Sequence, residues 1–584
     1  MSPDPRLRTS KLTFEELFGG TRPTGLVDNV AFMPPDNADL PHQEFAYRLN
    51  LAETEMASDK VMLSQRRYHN LRADLFPGVD VLFVSRDGEL IPLERDLIRA
   101  PDGDSYWDIT VSPGKVWSVP GDRGFSRGVF PFELSNVLEN DTHHGLASFV
   151  YDDTGISPVR FQIAVETKNF VIPETFDASG NIDAGVHPLT GGQAEAAIAA
   201  YAGEVADQWP LRAWSDLPGA IPNRLLNDVT KGACSDTEIV SGLVIDGEIY
   251  ATPCRTRAGG FPLPRGMKFG IWSATKTAFG TMACLRLAQI TGEDPRRALI
   301  ADLIPEAEGL DRWSQITIGH CLNMASGIGT AAPFREATDI LSDYILDEKD
   351  AAASDLAQLS RDHYFDWFLA YSQTEKNHAA LACDAYPWGP DEVARYRDQD
   401  LYMAGAAMDA WYKQRCGSDK RLWHLVRDEV YRPARIHHAV KFETIEDDPA
   451  RIVPLTDAGL LLTMDNIARL GQLIHDGGKV EGEQLLQPDM LAEVFDPRHK
   501  KGLRTGIPTA DGIAHYHTGT WHMPFMSSGS DEYWLPTMVG YGGQMIQILP
   551  NGMTAFRFGH DRVEIDTSYD FLRLARIADA IKPF

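Results

Sequence analysis

The chain has 584 residues, with 83 acidic against 55 basic side chains, a net charge of −28 and 43% hydrophobic residues. An acidic excess of this size repels phosphate backbones and anionic bilayers, so neither nucleic acid nor a membrane surface is expected as a partner. No apolar run approaches the roughly 20 residues of a membrane span, and the start MSPDPRLRTSKLTFEELFGG has no apolar signal region. The expected location is therefore cytoplasmic, or periplasmic if a signal segment has been removed.

Residues 1–190 read as β-rich. "DVLFVSRDGELIPL" sets two apolar runs around Arg86–Asp87–Gly88, a hairpin signal, and "YWDITVSPGKVWSV" reads as a second hairpin turning on Pro113–Gly114. "GLASFVYDD" and "VRFQIAVET" continue the strand pattern. Between them "LENDTHHG" gathers Glu139, Asp141, His143 and His144. Their spacing fits no standard metal-ligand set, and the stretch reads as a solvated loop. Asn140–Asp141–Thr142 matches a glycosylation sequon, which carries little without a secretory context. A Gly/Pro break at 181–192 precedes "QAEAAIAAYAGEVADQW", a strong helix former. The expected division is a β-rich domain over 1–190, a linker helix over 191–209 and a second domain over 210–584.

"EIVSGLVIDGEIYAT" is strand, Asp-Gly turn, strand. "SATKTAFGTMACLRLAQITG" then switches to helical period, with Phe279, Met282, Ala283, Leu285, Leu287 and Ile290 on the buried side and Gly292 as the stop. Long stretches between 310 and 480 read helical. "QMIQILPNGMTAFRFG" returns to strands around Asn551–Gly552, and "SYDFLRLARIADAI" ends the chain as a helix. Strands at both ends of a helix-rich middle imply a sheet assembled from both ends of the domain. None of the six cysteines forms a C-x-x-C pair. Cys284 and Cys321 read as buried apolar side chains, while Cys234 and Cys254 flank one strand pair and could bridge in an oxidising compartment.

Two Ser-x-x-Lys matches occur. Ser112 and Lys115 flank a Pro-Gly bend between strands, which removes that pair from consideration. Ser273 falls where a strand and loop become a helix, and Lys276 follows on the same helical face. A serine hydroxyl needs a neighbour to take its proton, which a partly buried lysine can do, and a helix N-terminus suits a developing oxyanion.

Several segments, in order, resemble the serine β-lactamase-like hydrolases, the group of class C β-lactamases, D-Ala-D-Ala carboxypeptidases, family VIII esterases, D-aminopeptidases and 6-aminohexanoate-dimer hydrolase. They are "VSGLVIDGEIY", "IWSATKTAFGTM", "LIPEAEGLDRWSQITIGHCLNMASGI" and "DAGLLLTMDNIARLGQLIHDGGKVEGEQLL". Together they span about 235–584. The resemblance implies Ser273 as nucleophile and Lys276 as its base. Tyr396 falls in the slot of the family's Tyr-x-Asn motif, as the second base. Asp398 stands where that motif has asparagine. Two segments compete for the third, Lys/His-x-Gly motif. His517–Thr518–Gly519 is the literal match, whereas Gly540–Tyr541–Gly542–Gly543–Gln544 has the right position before the terminal hairpin. Position favours the second, with the Tyr541 amide joining that of Ser273 around the oxyanion. Gly540, Gly543, Asp398 and His517 are then candidate substrate-side residues.

The expected fold class is α/β (α+β). It comprises a β-lactamase/transpeptidase-like antiparallel sheet flanked by helices, with a helical subdomain, preceded by the β-rich domain. The expected function is hydrolysis of an amide or ester through an acyl-enzyme, with no metal or organic cofactor and a small molecule or short peptide as substrate. Asp398, and Met538 in the usual Lys/His place, disfavour an anionic β-lactam. The alternative is a penicillin-binding-like sensor that is acylated slowly or not at all. The sequence leaves room for a homo-oligomer and for chemistry that survives loss of the first domain.

Overall fold

The computed structural model describes residues 7–58, 71–100, 103–170, 177–189, 191–231, 236–329, 364, 366–386, 388–561 and 570–584. Cys234 lies outside these residues, and Cys254 carries a free, buried thiol. Two large sheets organise the rest.

The first sheet has eleven strands, among them β1 (Ala46–Leu51), β2 (Val79–Arg86), β3 (Glu89–Pro92), β4 (Asp108–Val111), β5 (Gly114–Ser118), β6 (Ser126–Ser135), β7 (His143–Tyr151), β8 (Val159–Glu166), β9 (Ala178–Ile182) and β10 (Ala184–Pro188). β10 pairs with β1 at one end of the order, and β9 pairs with β8 near the other. Only Asp183 separates β9 from β10, so one strand that changes partners joins the two ends and the sheet is rolled. Alternation sorts its side chains. Phe130, Phe132, Phe149 and Phe161 fill the inside, together with Val81, Phe83 and Leu49. Val129, Leu146, Val150 and Val165, one residue out of step, face the rest of the molecule and share a core with Ile239 and Phe269.

The first sheet departs from expectation in two places. Residues 108–118 are not a hairpin: β4 and β5 run one after the other along β6, from Asp108 opposite Ser135 to Ser118 opposite Ser126. Pro113 has no amide to give the ladder, so the single strand breaks there and resumes. The 139–144 segment is not solvated either, since Glu139, Asp141, His143 and His144 are all buried. Several of their polar atoms are matched locally. His143 pairs with Asp141 at 2.7 Å and His144 meets the Thr142 hydroxyl at 3.1 Å. Glu139 accepts from the Tyr106 hydroxyl and the Phe170 amide, both at 3.0 Å. Among the described residues no group of three or more His, Cys, Asp or Glu could hold a metal ion.

Helix α1 (Gln193–Asp207) leads to the second sheet and has no buried residue. That sheet has nine strands: β11 (Leu211–Ala213), β12 (Glu238–Ile245), β13 (Glu248–Ala251), β14 (Leu503–Thr509), β15 (Gly512–His517), β16 (Thr520–Met526), β17 (Glu532–Gly540), β18 (Gln544–Ile548) and β19 (Thr554–Gly559). The order is β11-β13-β12-β19-β18-β17-β16-β15-β14, antiparallel except for β11 beside β13. β12 lies against β19, so the first and last thirds of this half meet in one sheet, as its pattern implied. Helices α2 (Met282–Thr291), α3 (Asp398–Cys416), α4 (Met464–His475) and α5 (Arg573–Ile581) pack around it. α2 is buried almost all round, but Ile290, expected inside, is exposed near its end. Among the described residues no helix is long and apolar enough to cross a membrane.

Candidate active site

The chain reaches Ser273 through a two-residue strand, Phe269–Gly270, paired with Leu460–Leu462. It then makes a 3₁₀ turn over Trp272–Ala274, a π-helical turn over Lys276–Thr281 and α2. Such widened turns concentrate at functional sites. Trp272 has φ +48°, a strained conformation for a bulky residue. It is held there because its indole N–H donates to the Lys168 carbonyl at 2.7 Å. Its ring also meets Tyr541 and Phe170 edge-on.

Lys276 is 1% exposed in its side chain and its ammonium has three partners. It donates to Ser273 Oγ at 2.7 Å and to the Asp457 carbonyl at 2.8 Å, and it pairs with Asp398 Oδ1 at 2.7 Å. It also sits 5.0 Å from the centre of the Tyr396 ring. The Tyr396 hydroxyl shares a hydrogen bond with Ser273. Burial, and then the Asp398 charge, push the Tyr396 phenol well above its usual range, although the Ser273 bond opposes this. Its ring is stacked on Trp521 at 5.5 Å and meets Tyr516 edge-on. Asp398 opens α3 and accepts from the Tyr364 hydroxyl at 2.9 Å. The carboxylate expected to face substrate is thus engaged by Lys276 and Tyr364.

The structure brings Ser273, Lys276, Tyr396 and Asp398 together and sets Gly540 and Tyr541 beside them. A Cβ on Gly540 would lie 2.1 Å from the Ile271 carbonyl, so glycine is required where β17 crosses the segment before the serine. The turn that follows is held from behind, where the Gln544 amide donates to the carbonyls of Tyr541 (3.1 Å) and Gly559 (2.6 Å). Gly543 belongs to that rear side, its carbonyl accepting from Arg557 at 2.9 Å.

His517 is not brought to the serine. Neighbouring Tyr516 on β15 faces Tyr396, so His517 points to the opposite side of the strand. There it bonds Glu493 at 3.0 Å, beside Arg296. The Thr518–Gly519 turn lies behind the helix that follows Ser273 instead, Gly519 O accepting from the Thr277 hydroxyl at 2.6 Å. The literal Lys/His-x-Gly match is therefore a strand turn.

Sequence reasoning missed two sets of residues. Lys376 and Lys441 approach Asp457 behind Lys276, forming a buried charge cluster. Burial pushes Lys376 down to about 8 and lowers Lys441 further, while it raises Asp457. Nothing in the sequence marks these scattered residues as neighbours. The second set comes from the rolled sheet. Thr142 Oγ1 accepts from the Gly270 amide at 3.2 Å, and Asn140 donates to the Leu460 carbonyl at 3.4 Å. Phe170 packs against Tyr541, Phe368 and Tyr364, and the Lys168 ammonium stands 5.5 Å over the Tyr541 ring. Met538, in the place of the expected cation, is buried.

No family model matches the chain, and no curated protein matches it. Among solved structures it is similar to several proteins of the β-lactamase fold. One is a penicillin-binding protein homolog from Caulobacter crescentus, at 15% identity and a TM-score of 0.41, covering 63% of this chain and 100% of that one. A family VIII carboxylesterase is similar at 14% identity and a TM-score of 0.39, over 62% of this chain and 98% of its own. The D-amino acid amidase from Ochrobactrum anthropi SV3 is similar at 14% identity and a TM-score of 0.38, over 62% and 99%.

Proposed function

We propose that the protein is a serine hydrolase that cleaves an amide or ester bond through an acyl-enzyme. The observation that carries this reading is the Lys276 ammonium held between Ser273 Oγ and Asp398 at 2.7 Å from each, with the Tyr396 hydroxyl on the same serine.

The ion pair is neutral as a whole. Moving the Lys276 proton to Asp398 leaves a neutral amine and a carboxylic acid without creating charge in a buried site. The amine then takes the Ser273 proton as Oγ bonds to the substrate carbonyl carbon. The amides of Ser273 and Tyr541 receive the oxyanion. The Tyr396 hydroxyl hands a proton to the leaving group as the scissile bond breaks and recovers one from the Lys276 side. Water attacks the acyl carbon by the reverse route and frees Ser273. Asp398 thereby becomes part of the proton path.

Phe170, Trp272, Tyr364, Phe368 and Tyr541 meet in one aromatic cluster beside the serine. It suits an apolar or aromatic group on the substrate, in an ester or amide other than a β-lactam. The test is a panel of p-nitrophenyl esters, D-amino-acid amides, ω-amino amides and nitrocefin, with intact-mass detection of the acyl-enzyme. Turnover on the aromatic esters or amides and a mass adduct on Ser273 are expected. A Ser273→Ala protein that retains wild-type turnover would sink the assignment. Stable acylation without turnover would favour the sensor alternative.

A further inference from the structure

A cavity of about 710 Å³ opens between the rolled sheet, α1 and the half that carries Ser273. Its wall includes Lys268, five residues before Ser273, but none of the catalytic residues. Part of that wall is apolar: Ile91, Ile198, Val205, Leu263 and Pro264. The rest is charged, with seven Arg and Lys against five Asp and Glu, besides His437 and His438. In a chain of net charge −28 a wall with more bases than acids stands out. A volume of several hundred Å³ with an apolar body and a few converging polar groups is the usual form of a small-molecule site.

The cavity already binds one carboxylate, its own. Glu204, on α1, is ion-paired with Arg95 and receives His438 Nε2 at 2.8 Å. Those partners, acting against burial, hold its carboxyl down at about 2. Burial, and then the Arg95 and Lys268 charges, lower the His438 imidazole below its usual range, against its bond to Glu204. The Lys268 side chain is buried, and its ammonium donates to the Val111 carbonyl at 3.3 Å and the Ser112 hydroxyl at 3.2 Å. Both acceptors are neutral and both contacts are long for an ammonium. The Glu133 charge acts on Lys268, but its carboxylate accepts from the Lys268 backbone amide and the Thr110 hydroxyl and makes no ion pair with the ammonium. A carboxylate brought beside the Lys268 ammonium gains a charge-assisted bond that its two neutral acceptors do not give, with Arg95 on the same wall.

We propose that this cavity is a binding site for an amphipathic monocarboxylate, its head on Lys268 beside Arg95 and its apolar tail along Ile198, Val205 and Leu263. The site is separate from Ser273 and does not depend on the hydrolase reading.

The test is calorimetric titration of full-length Ser273→Ala protein with decanoate, decanol and acetate, so that catalysis and acylation play no part. Decanoate is expected to bind at one saturable site. Decanol, which lacks the charge, and acetate, which lacks the tail, are each expected to bind at least 10-fold more weakly. Lys268→Met should weaken decanoate at least 10-fold. Val205→Asp changes an exposed position of α1 and should do the same without threatening the fold, so it decides the matter if the Lys268 variant does not fold. Absence of saturable decanoate binding, equal affinity for decanol, or unchanged binding in Val205→Asp would each overturn the proposal.

Discussion

Ser273 and Lys276 are three residues apart, and the π-helical turn beginning at Lys276 lets the lysine reach back to the hydroxyl while its other donors meet Asp457 and Asp398. Removing the hydroxyl by Ser273→Ala should abolish turnover and fluorophosphonate labelling with the melting temperature unchanged. Ser112→Ala, at the other Ser-x-x-Lys match, should leave turnover intact, because that serine lies at a break in a strand of the rolled sheet. Asp398→Asn keeps the size of the side chain but removes the charge facing Lys276 and the proton acceptor. A fall in kcat of about 100-fold, roughly 2.7 kcal/mol of barrier, is expected with KM changed little. Steady-state kinetics on one aromatic ester decide this, and an unchanged kcat would remove Asp398 from the proton path. That Ser273, Lys276 and Tyr396 lie together was legible in the sequence because spacing within one helix, and segments in a set order, leave a local record. Lys376, Lys441 and Asp457 leave none, since each is an isolated charged residue until folding gathers them.

At the scale of elements, the site is a crossing of three segments: the turn at Trp272–Ala274, the end of β17 and the start of α3. The crossing is so close that Gly540→Ala would put a Cβ 2.1 Å from the Ile271 carbonyl. Overpacking of this kind costs about 1–3 kcal/mol where the structure can shift. The shift here would move Tyr541 away from Ser273. Gly540→Ala is expected to lower kcat on every substrate of the panel while leaving a folded protein by circular dichroism; full activity would mean that Tyr541 takes no part. The hairpins at Asp87–Gly88, Asp246–Gly247 and Asn551–Gly552 were legible because their turn residues are specified locally. The break at Pro113 was misread because Pro-Gly is compatible both with a hairpin turn and with an interrupted strand. The choice was made by β6, which offers partners to both pieces.

For the whole molecule, the outer face of the rolled sheet shares one continuous core with the second half, while the inside of that sheet is a core of its own. Leu12, Phe14, Phe32 and Val129 belong with Ile239 and Phe269 in a single buried cluster. The rolled sheet also supplies the Lys168 carbonyl under Trp272 and the Thr142 hydroxyl under Gly270. The expectation that chemistry survives loss of residues 1–190 is therefore replaced. A chain beginning at residue 209 is expected to be insoluble, or soluble and unreactive toward a fluorophosphonate. Labelling at the wild-type rate would show that the rolled sheet is dispensable to the reactivity of Ser273. The joint has a pH dependence of definite sign. The Glu204 carboxyl is lowered from 4.5 to about 2 in the folded protein, where it pairs with Arg95 and His438. Its contribution to stability is complete above about pH 4.5 and is lost as pH falls toward 2. Glu204→Gln should flatten the decline of melting temperature across that window, and a slope identical to wild type would mean that the latch contributes nothing.

By itself the sequence determined the elements that local rules govern: the strand-rich first third, the helix after Gly192, the hairpins and the helix that presents Ser273 with Lys276. Alternation, turn chemistry and helical spacing act over a few residues and so are written in a few residues. Only the tertiary structure decided that one strand broken at Asp183 rolls the first sheet, that 139–144 is buried under the segment leading to Ser273, and that His517 faces away from that serine. Each depends on which surface another element offers from a hundred or more residues away. Burial there is set by the summed fit of apolar faces, and no short stretch of chain contains that information.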